Sequence, residues 1–264
     1  MKLLPDDVDC AIDFDRRFGG IARLYGAAGL ARLRASRVAI VGLGGVGSWA
    51  AEACARSGIG WLTLIDLDHV AESNINRQIH ALDSTLGAAK VGVMARRIAD
   101  INPQCVVEAV EEFIEAGNAA ALIPAGRFAC VIDAIDHVRA KTALIAHCHA
   151  QQTPLITIGG AGGRTDASRV RVADLAHTEH EAMLAKVRKA LRTHHDCPRN
   201  LKRTFGVAAV YSDQRSADMD GFEAQAGAGG AGLNCAGYGS AVAVTATFGF
   251  VAAGLLIDRL ARGQ

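Results

Sequence analysis

Two groups of residues in this chain have the types and spacing to do chemistry. The first is Gly42-Leu43-Gly44-Gly45-Val46-Gly47, set between the apolar run Val38-Ala39-Ile40-Val41 and a helical pattern from Gly47 to Arg56. Glycines let a backbone turn tightly and approach phosphate, whose charge then sits on a helix N-terminus. Asp66 lies 24 residues after Gly42, at the end of the next strand pattern, where a carboxylate can accept from ribose hydroxyls. This device alone serves NAD, FAD and ATP equally. The second group narrows the choice: Asp66-Leu67-Asp68, then Ser73-Asn74-Ile75-Asn76-Arg77-Gln78, Lys90, and Asp133-Ala134-Ile135-Asp136. A nucleoside triphosphate carries more charge than a bridging pyrophosphate and calls for basic side chains and a divalent metal. Arg77 and Lys90 can supply the cations, and Asp136, at a strand's carboxyl end, can hold Mg²⁺. Singly, each reads as a surface ion pair or a helix cap; together at these spacings they point to a triphosphate.

The elements that must hold these residues alternate. Apolar strand patterns at 38–41, 61–66, 105–110, 130–133 and 155–158 alternate with helical patterns at 47–56, 90–101 and 142–152. That order predicts a doubly wound α/β sheet. Residues 1–36 read as an opening segment of short amphipathic turns. Beyond the glycine-rich break 159–163 come a half-exposed strand pattern at 169–172 and a basic amphipathic helix over 179–192. Residues 212–232 lack periodicity and predict a mobile loop, and 240–257 is an 18-residue stretch without charge. The last is at the lower limit of a bilayer span, yet rich in Ala, Gly and Thr. A buried or interface helix is favoured there over peripheral membrane contact.

Composition fits a globular chain. Of 264 residues, 50% are apolar and 21% charged, which excludes a disordered chain or a coiled coil. The 28 basic and 27 acidic residues leave a net charge of +1, excluding a globally basic nucleic-acid binder but not a local basic patch. Such a patch is offered by Lys186, Arg188, Lys189, Arg192, Arg199, Lys202 and Arg203, with Asp196 among them. It reads either as a solvated face or as a surface for an RNA backbone. The seven cysteines form no Cys-x-x-Cys pair, so neither a disulfide framework nor a structural zinc is expected; His194-His195 with Cys197 fits no standard metal spacing. Acidic residues stand where a signal peptide would be apolar, which predicts a cytoplasmic protein.

Gly-x-Gly-Gly-x-Gly, Asp-x-Asp-x-Val-x-x-Ser-Asn-x-x-Arg-Gln and Asp-Ala-Ile-Asp resemble the ATP-binding core of the ubiquitin-activating-like superfamily, whose members adenylate a carboxylate. The segments 17–26, 76–82, 159–163 and 234–239 extend the likeness over most of the chain, to the tRNA threonylcarbamoyladenosine dehydratase family. The resemblance implies a single domain over 1–264 with a Rossmann-like doubly wound sheet. Its nucleotide-binding core is expected at about 30–160, and a C-terminal part at about 161–264 completes the substrate site. It implies that Gly42, Gly44, Gly45 and Gly47 wrap the phosphates and Asp66 holds the ribose. Asn74, Arg77 and Lys90 are expected to line the phosphate path, with Asp68 and Gln78 completing the nucleotide set and Asp136 on magnesium. The implied reaction is ATP-dependent cyclisation, with loss of water, of the threonylcarbamoyl group on the tRNA adenosine beside the anticodon. It also implies a homodimer, with Arg17 or Arg23 reaching a neighbour's site, and admits a sulfur-transfer partner of the cysteine desulfurase type. Cys235 is either a thioester-forming nucleophile or a small residue at a helix start. One departure stands out: Gly206-Val207-Ala208-Ala209-Val210 occupies the place of an expected Gly-Val-Asp-Cys-Val. Two other readings stay open, an adenylyltransferase for a ubiquitin-like sulfur carrier and an NAD-dependent oxidoreductase.

Overall fold

The computed structural model describes residues 12–214 and 239–264. In chain order the elements are α1 (Phe14–Ala35), β1 (Arg37–Val41), α2 (Gly47–Arg56), β2 (Trp61–Ile65), α3 (Lys90–Ile101), β3 (Val106–Val110) and α4 (Ala119–Leu122). They continue with β4 (Cys130–Asp133), α5 (Val138–Ala150), β5 (Leu155–Ile158), β6 (Val170–Asp174), α6 (Ala182–His194), β7 (Ala208–Ser212) and α7 (Val242–Arg262). The seven strands form one sheet in the order β3-β2-β1-β4-β5-β7-β6, parallel except for β6 at one edge.

Both faces of the sheet are covered, which explains the unbroken apolar strands. Val38 and Ile40 join Leu33, Met94 and Phe248 on one face, under α1, α2, α3 and α7. Ala39 and Val41 join Leu144, Ile145, Leu184 and Leu191 on the other, under α4, α5 and α6. The order of the strands reverses between β1 and β4, and the carboxyl ends of strands at such a switch point form the ligand crevice of an open α/β sheet.

The opening segment departs from expectation. In place of short turns, Phe14–Ala35 is a helix, kinked where Gly26 takes φ 76°. Asp13 caps it by accepting from the Arg16 N–H at 2.9 Å. Glycines at 19, 20, 26 and 29 weaken its propensity, but tertiary packing overrides this. Phe14, Phe18 and Leu30 form a small cluster. A Cβ on Gly29 would lie 3.2 Å from the Ala261 carbonyl oxygen, so α1 and α7 cross in close contact. Strand β7 also lies outside the strand patterns of the sequence. It inserts between β5 and β6, with Ala209 and Val210 fully buried.

The uncharged stretch is α7, extended to Arg262. Val244, Phe248, Ala252 and Leu256 recur every four residues and are fully buried. A Cβ on Gly249 would lie 2.5 Å from the Val46 carbonyl oxygen, and Trp49 meets Phe250 edge-on at 5.6 Å. Among the described residues this is the one helix long and apolar enough to cross a membrane, and half of its most apolar stretch is packed inside the protein. The expected loop at 212–232 falls almost wholly outside the described residues.

Candidate active site at the carboxyl edge of the sheet

Each turn around the crevice has a physical reason for its residues. Gly42 leaves β1 at φ 89°, and a Cβ there would lie 2.9 Å from the Ala134 carbonyl oxygen. A Cβ on Gly47 would lie 1.8 Å from the Gly42 carbonyl oxygen, which no side chain tolerates. The loop therefore closes on itself and on the turn after β4. No side chain caps the N-terminus of α2 and its first turn holds no acid, the setting of a helix end that can receive an anion.

Asp66 braces this loop. Its carboxylate accepts from the Leu43 N–H at 2.5 Å and from the Asp68 N–H at 2.8 Å. Burial raises its pKa above the ordinary carboxylate value, against the opposing pull of Lys90 and these two amides. Lys90, buried at the start of α3, donates to Asp68 at 2.8 Å. Arg77 packs over the loop: a Cβ on Gly45 would lie 3.0 Å from Arg77 Cγ. The Arg77 guanidinium donates to the Ser73 carbonyl at 2.6 Å and to Asn76 Oδ1 at 3.0 Å, and its own carbonyl accepts from Trp49 Nε1 at 2.9 Å. Asn76 in turn donates to the Ser240 carbonyl at 2.8 Å, which ties the approach to α7 to the same edge.

The other expected site residues are held in different settings. Asn74 is buried and accepts from the Ala71 N–H at 3.1 Å, a capping role within its own turn. Gln78 is buried with Oε1 unpartnered among the described residues. Asp136 is exposed just past the end of β4, and no hydrogen bond or ion pair engages its carboxylate among the described residues. Arg17 lies at the opposite edge of its own sheet, donating to the Ile101 carbonyl at 2.6 Å where α3 ends. Arg23 is exposed on α1. Neither reaches the glycine loop within one chain. Cys235 lies outside the described residues. The described thiols are poor nucleophiles: burial pushes Cys130 and Cys148 up to about 12 and raises Cys197.

Three residues that support the site were not singled out from the sequence. Lys141, on α5, is fully buried and donates to Asp133 Oδ2 at 2.8 Å, to the Asp133 carbonyl at 3.2 Å and to Thr157 at 3.2 Å. Thr157 donates to the same carboxylate at 2.7 Å, and Asp133 Oδ1 accepts from the Ile135 N–H at 3.1 Å. This network fixes the turn that presents Ala134 to Gly42 and carries Asp136. Its sequence signal is Lys141 within the stripe Val138, Ile145 and Cys148 on α5: a cation on a buried face requires a partner. Glu181 is a second hidden anchor. It caps α6 and accepts from the Gly160 N–H at 3.1 Å, fastening the glycine-rich break to that helix.

Mg²⁺ keeps most of its waters and is held by one or two carboxylates plus substrate phosphates. Asp136, exposed past the end of β4 and without a hydrogen-bond or ion-pair partner among the described residues, fits that requirement. Among the described residues no cluster of three or more His, Cys, Asp and Glu is placed to hold a metal unaided.

Comparison with known proteins bears on the whole length. The chain is 46% identical over 249 residues to the tRNA threonylcarbamoyladenosine dehydratase of Haemophilus influenzae, covering 94% of each chain. It is 47% identical over 243 residues to the Escherichia coli protein of the same name, covering 90% of each. The crystal structure of the Escherichia coli dehydratase in complex with ATP superposes with a TM-score of 0.86 at 43% identity, covering 97% of this chain and 98% of that one. The ThiF family pattern matches residues 16–260. The chain belongs to the ThiF family and, within it, groups with the tRNA threonylcarbamoyladenosine dehydratases.

Proposed function

We propose that this chain is an ATP-dependent tRNA threonylcarbamoyladenosine dehydratase that acts by activating a carboxylate. One observation carries the reading: a closed glycine loop, Asp66, Arg77, Lys90 and Asp136 gather on one sheet edge in a chain alike over 94% of its length to such a dehydratase. ATP lies with its phosphates on Gly42, Gly44, Gly45 and Gly47 at the N-terminus of α2, and its ribose at Asp66. Arg77 and Lys90 stabilise charge that develops on the phosphates. Lys90 is already desolvated, which strengthens its pull on an anion. Asp136 would hold Mg²⁺, which would neutralise phosphate charge. The carbamoyl arm then attacks the activated threonyl carbonyl, the bond to the activating phosphate group breaks, and that group leaves with one carboxylate oxygen while the attacking atom gives up its proton. Ring closure within one molecule gains effective molarity, so the protein mainly orients the reacting groups and excludes water.

The part from about 161 onward completes the substrate site, and the protein acts in the cytoplasm. As a homodimer, with Arg17 or Arg23 directed to a neighbour's nucleotide, the assembly supplies cations that one chain's own site lacks. A cysteine desulfurase-type protein is the remaining partner to test by co-sedimentation.

Asp136→Ala should lower turnover of modified tRNA by roughly 100-fold or more, the scale for losing a positioned catalytic group, with the melting temperature unchanged. Near-normal turnover at saturating Mg²⁺ would take Asp136 out of the metal site. ATP with Mg²⁺ at about 100 times its dissociation constant should stabilise the fold by about 2.7 kcal/mol, and NAD should not. Equal stabilisation by NAD would overturn the ATP reading. Labelled ATP offered with modified tRNA or with a sulfur carrier separates the dehydratase from the adenylyltransferase.

A further inference from the structure

We propose that the outer face of α6 and the segment 195–205 form a docking surface for an RNA backbone, the stem of the tRNA whose modified base enters the crevice. The proposal rests on the dehydratase reading above. Lys186, Lys189, Arg199, Lys202 and Arg203 are all exposed, and no ion pair joins any of them to an acid among the described residues. Asp196 is the single acid from 182 to 205, although the whole chain balances 28 basic residues against 27 acidic ones. The positive charge is therefore segregated here and is not a consequence of composition.

The segment that carries these cations is built as a fixed platform. Arg192 stacks on Phe205 at 5.0 Å and donates to the Pro198 carbonyl at 3.3 Å. Cys197 and Phe205 are buried beneath it. Asp174 accepts from the N–H groups of Phe205, Gly206 and Val207 at 2.9, 2.8 and 3.2 Å. Arg188 is engaged with Thr178, so the two half-buried arginines hold the platform while the five exposed cations face solvent. Cations held on an ordered surface lose less freedom when they meet phosphates than cations on a random coil.

Its position also suits a stem. Glu181 fastens the start of α6 to Gly160, beside the carboxyl end of β5. From there α6 runs toward the start of β7 at the other edge of the sheet, and 13 residues of helix cover about 20 Å. The surface thus leads away from the crevice, as a duplex leads away from the loop that holds the target base. A-form RNA is met largely through phosphates and shape, which needs cations rather than base-reading groups.

The test is a variant carrying Lys189→Gln, Arg199→Gln, Lys202→Gln and Arg203→Gln, with binding of an unmodified tRNA transcript followed by fluorescence anisotropy across salt. Removing four phosphate contacts should make the slope of log affinity against log salt shallower by about 3 and weaken binding at least tenfold near 0.1 M salt. Melting temperature and stabilisation by ATP should be unchanged, and turnover should show a raised KM with kcat held. Affinity within twofold of wild type with the same slope would overturn the docking surface. Wild-type turnover of modified tRNA separates the two claims. If the wild type turns over and the variant binds normally, the surface alone falls; if the wild type does not turn over, the dehydratase reading falls and the surface with it.

Discussion

Lys141→Met is expected to destabilise the protein by about 3–5 kcal/mol, the scale for removing one partner of a buried ion pair. Lys141 and Asp133 are both fully buried, with Nζ and Oδ2 2.8 Å apart. The pair itself adds little net stability, because desolvating both charges costs about as much as their attraction returns. The asymmetry lies in breaking it. Without Lys141 the Asp133 carboxylate keeps only Thr157 and the Ile135 N–H as donors, and it cannot reach water. Denaturant unfolding measures the loss. Lys141→Met combined with Asp133→Leu should recover most of the stability, since an apolar pair replaces both charges. That double variant should still bind ATP weakly, because the tie to the Ile135 N–H, which sets the turn against Gly42, is gone. A single Lys141→Met variant within 1 kcal/mol of wild type would sink this account of the network.

The first half of the sheet is legible because both of its signals are local. The unbroken run Val38–Val41 requires cover on both faces, and the glycine loop requires a strand before it and a helix after it; the sheet supplies both. Helix α2 begins and ends where its pattern predicts, at Gly47 and Arg56. The remainder depends on contacts distant in sequence. Helix α1 is interrupted by glycines at 19, 20, 26 and 29 and is held by Gly29 against Ala261 and by Leu33 in the main core, partners that no local window contains. Strand β7 reads as a short Ala-Val run and becomes a strand by pairing with β5 and β6 on either side. The candidate site divides in the same way. Asp66, Arg77 and Lys90 stand out by type and spacing, whereas the network of Lys141, Thr157 and Asp133 at the end of β4 forms only once α5 and β5 are folded against that strand.

The fold should also lose about 2.5 kcal/mol through a single histidine as the pH falls from 7.5 to 4.5. His80 is 1% exposed, and neither ring nitrogen has a hydrogen-bond partner among the described residues. Burial, then the nearby charges of Lys90 and Arg97, push its pKa down to about 4. In the unfolded chain the same group titrates near 6.5. Between those values the unfolded state binds the proton and the folded state does not, so stability is complete above about 6.5 and drains away as the pH falls toward 4. Below that the contribution is spent, because both states are protonated. The proton would enter beside Lys90 and Arg97, adding a third positive charge to that cluster. His80→Leu removes the titration, and near neutral pH it should be close to neutral in stability, since it also removes two unsatisfied ring nitrogens. Unfolding free energies of both proteins at pH 7.5 and 4.5 isolate the effect, because the carboxylates that titrate in this range are common to both and cancel in the double difference. A wild type that loses no more stability than His80→Leu over this interval would show that His80 is protonated in the folded state, through an opening of its pocket that the buried ring does not suggest.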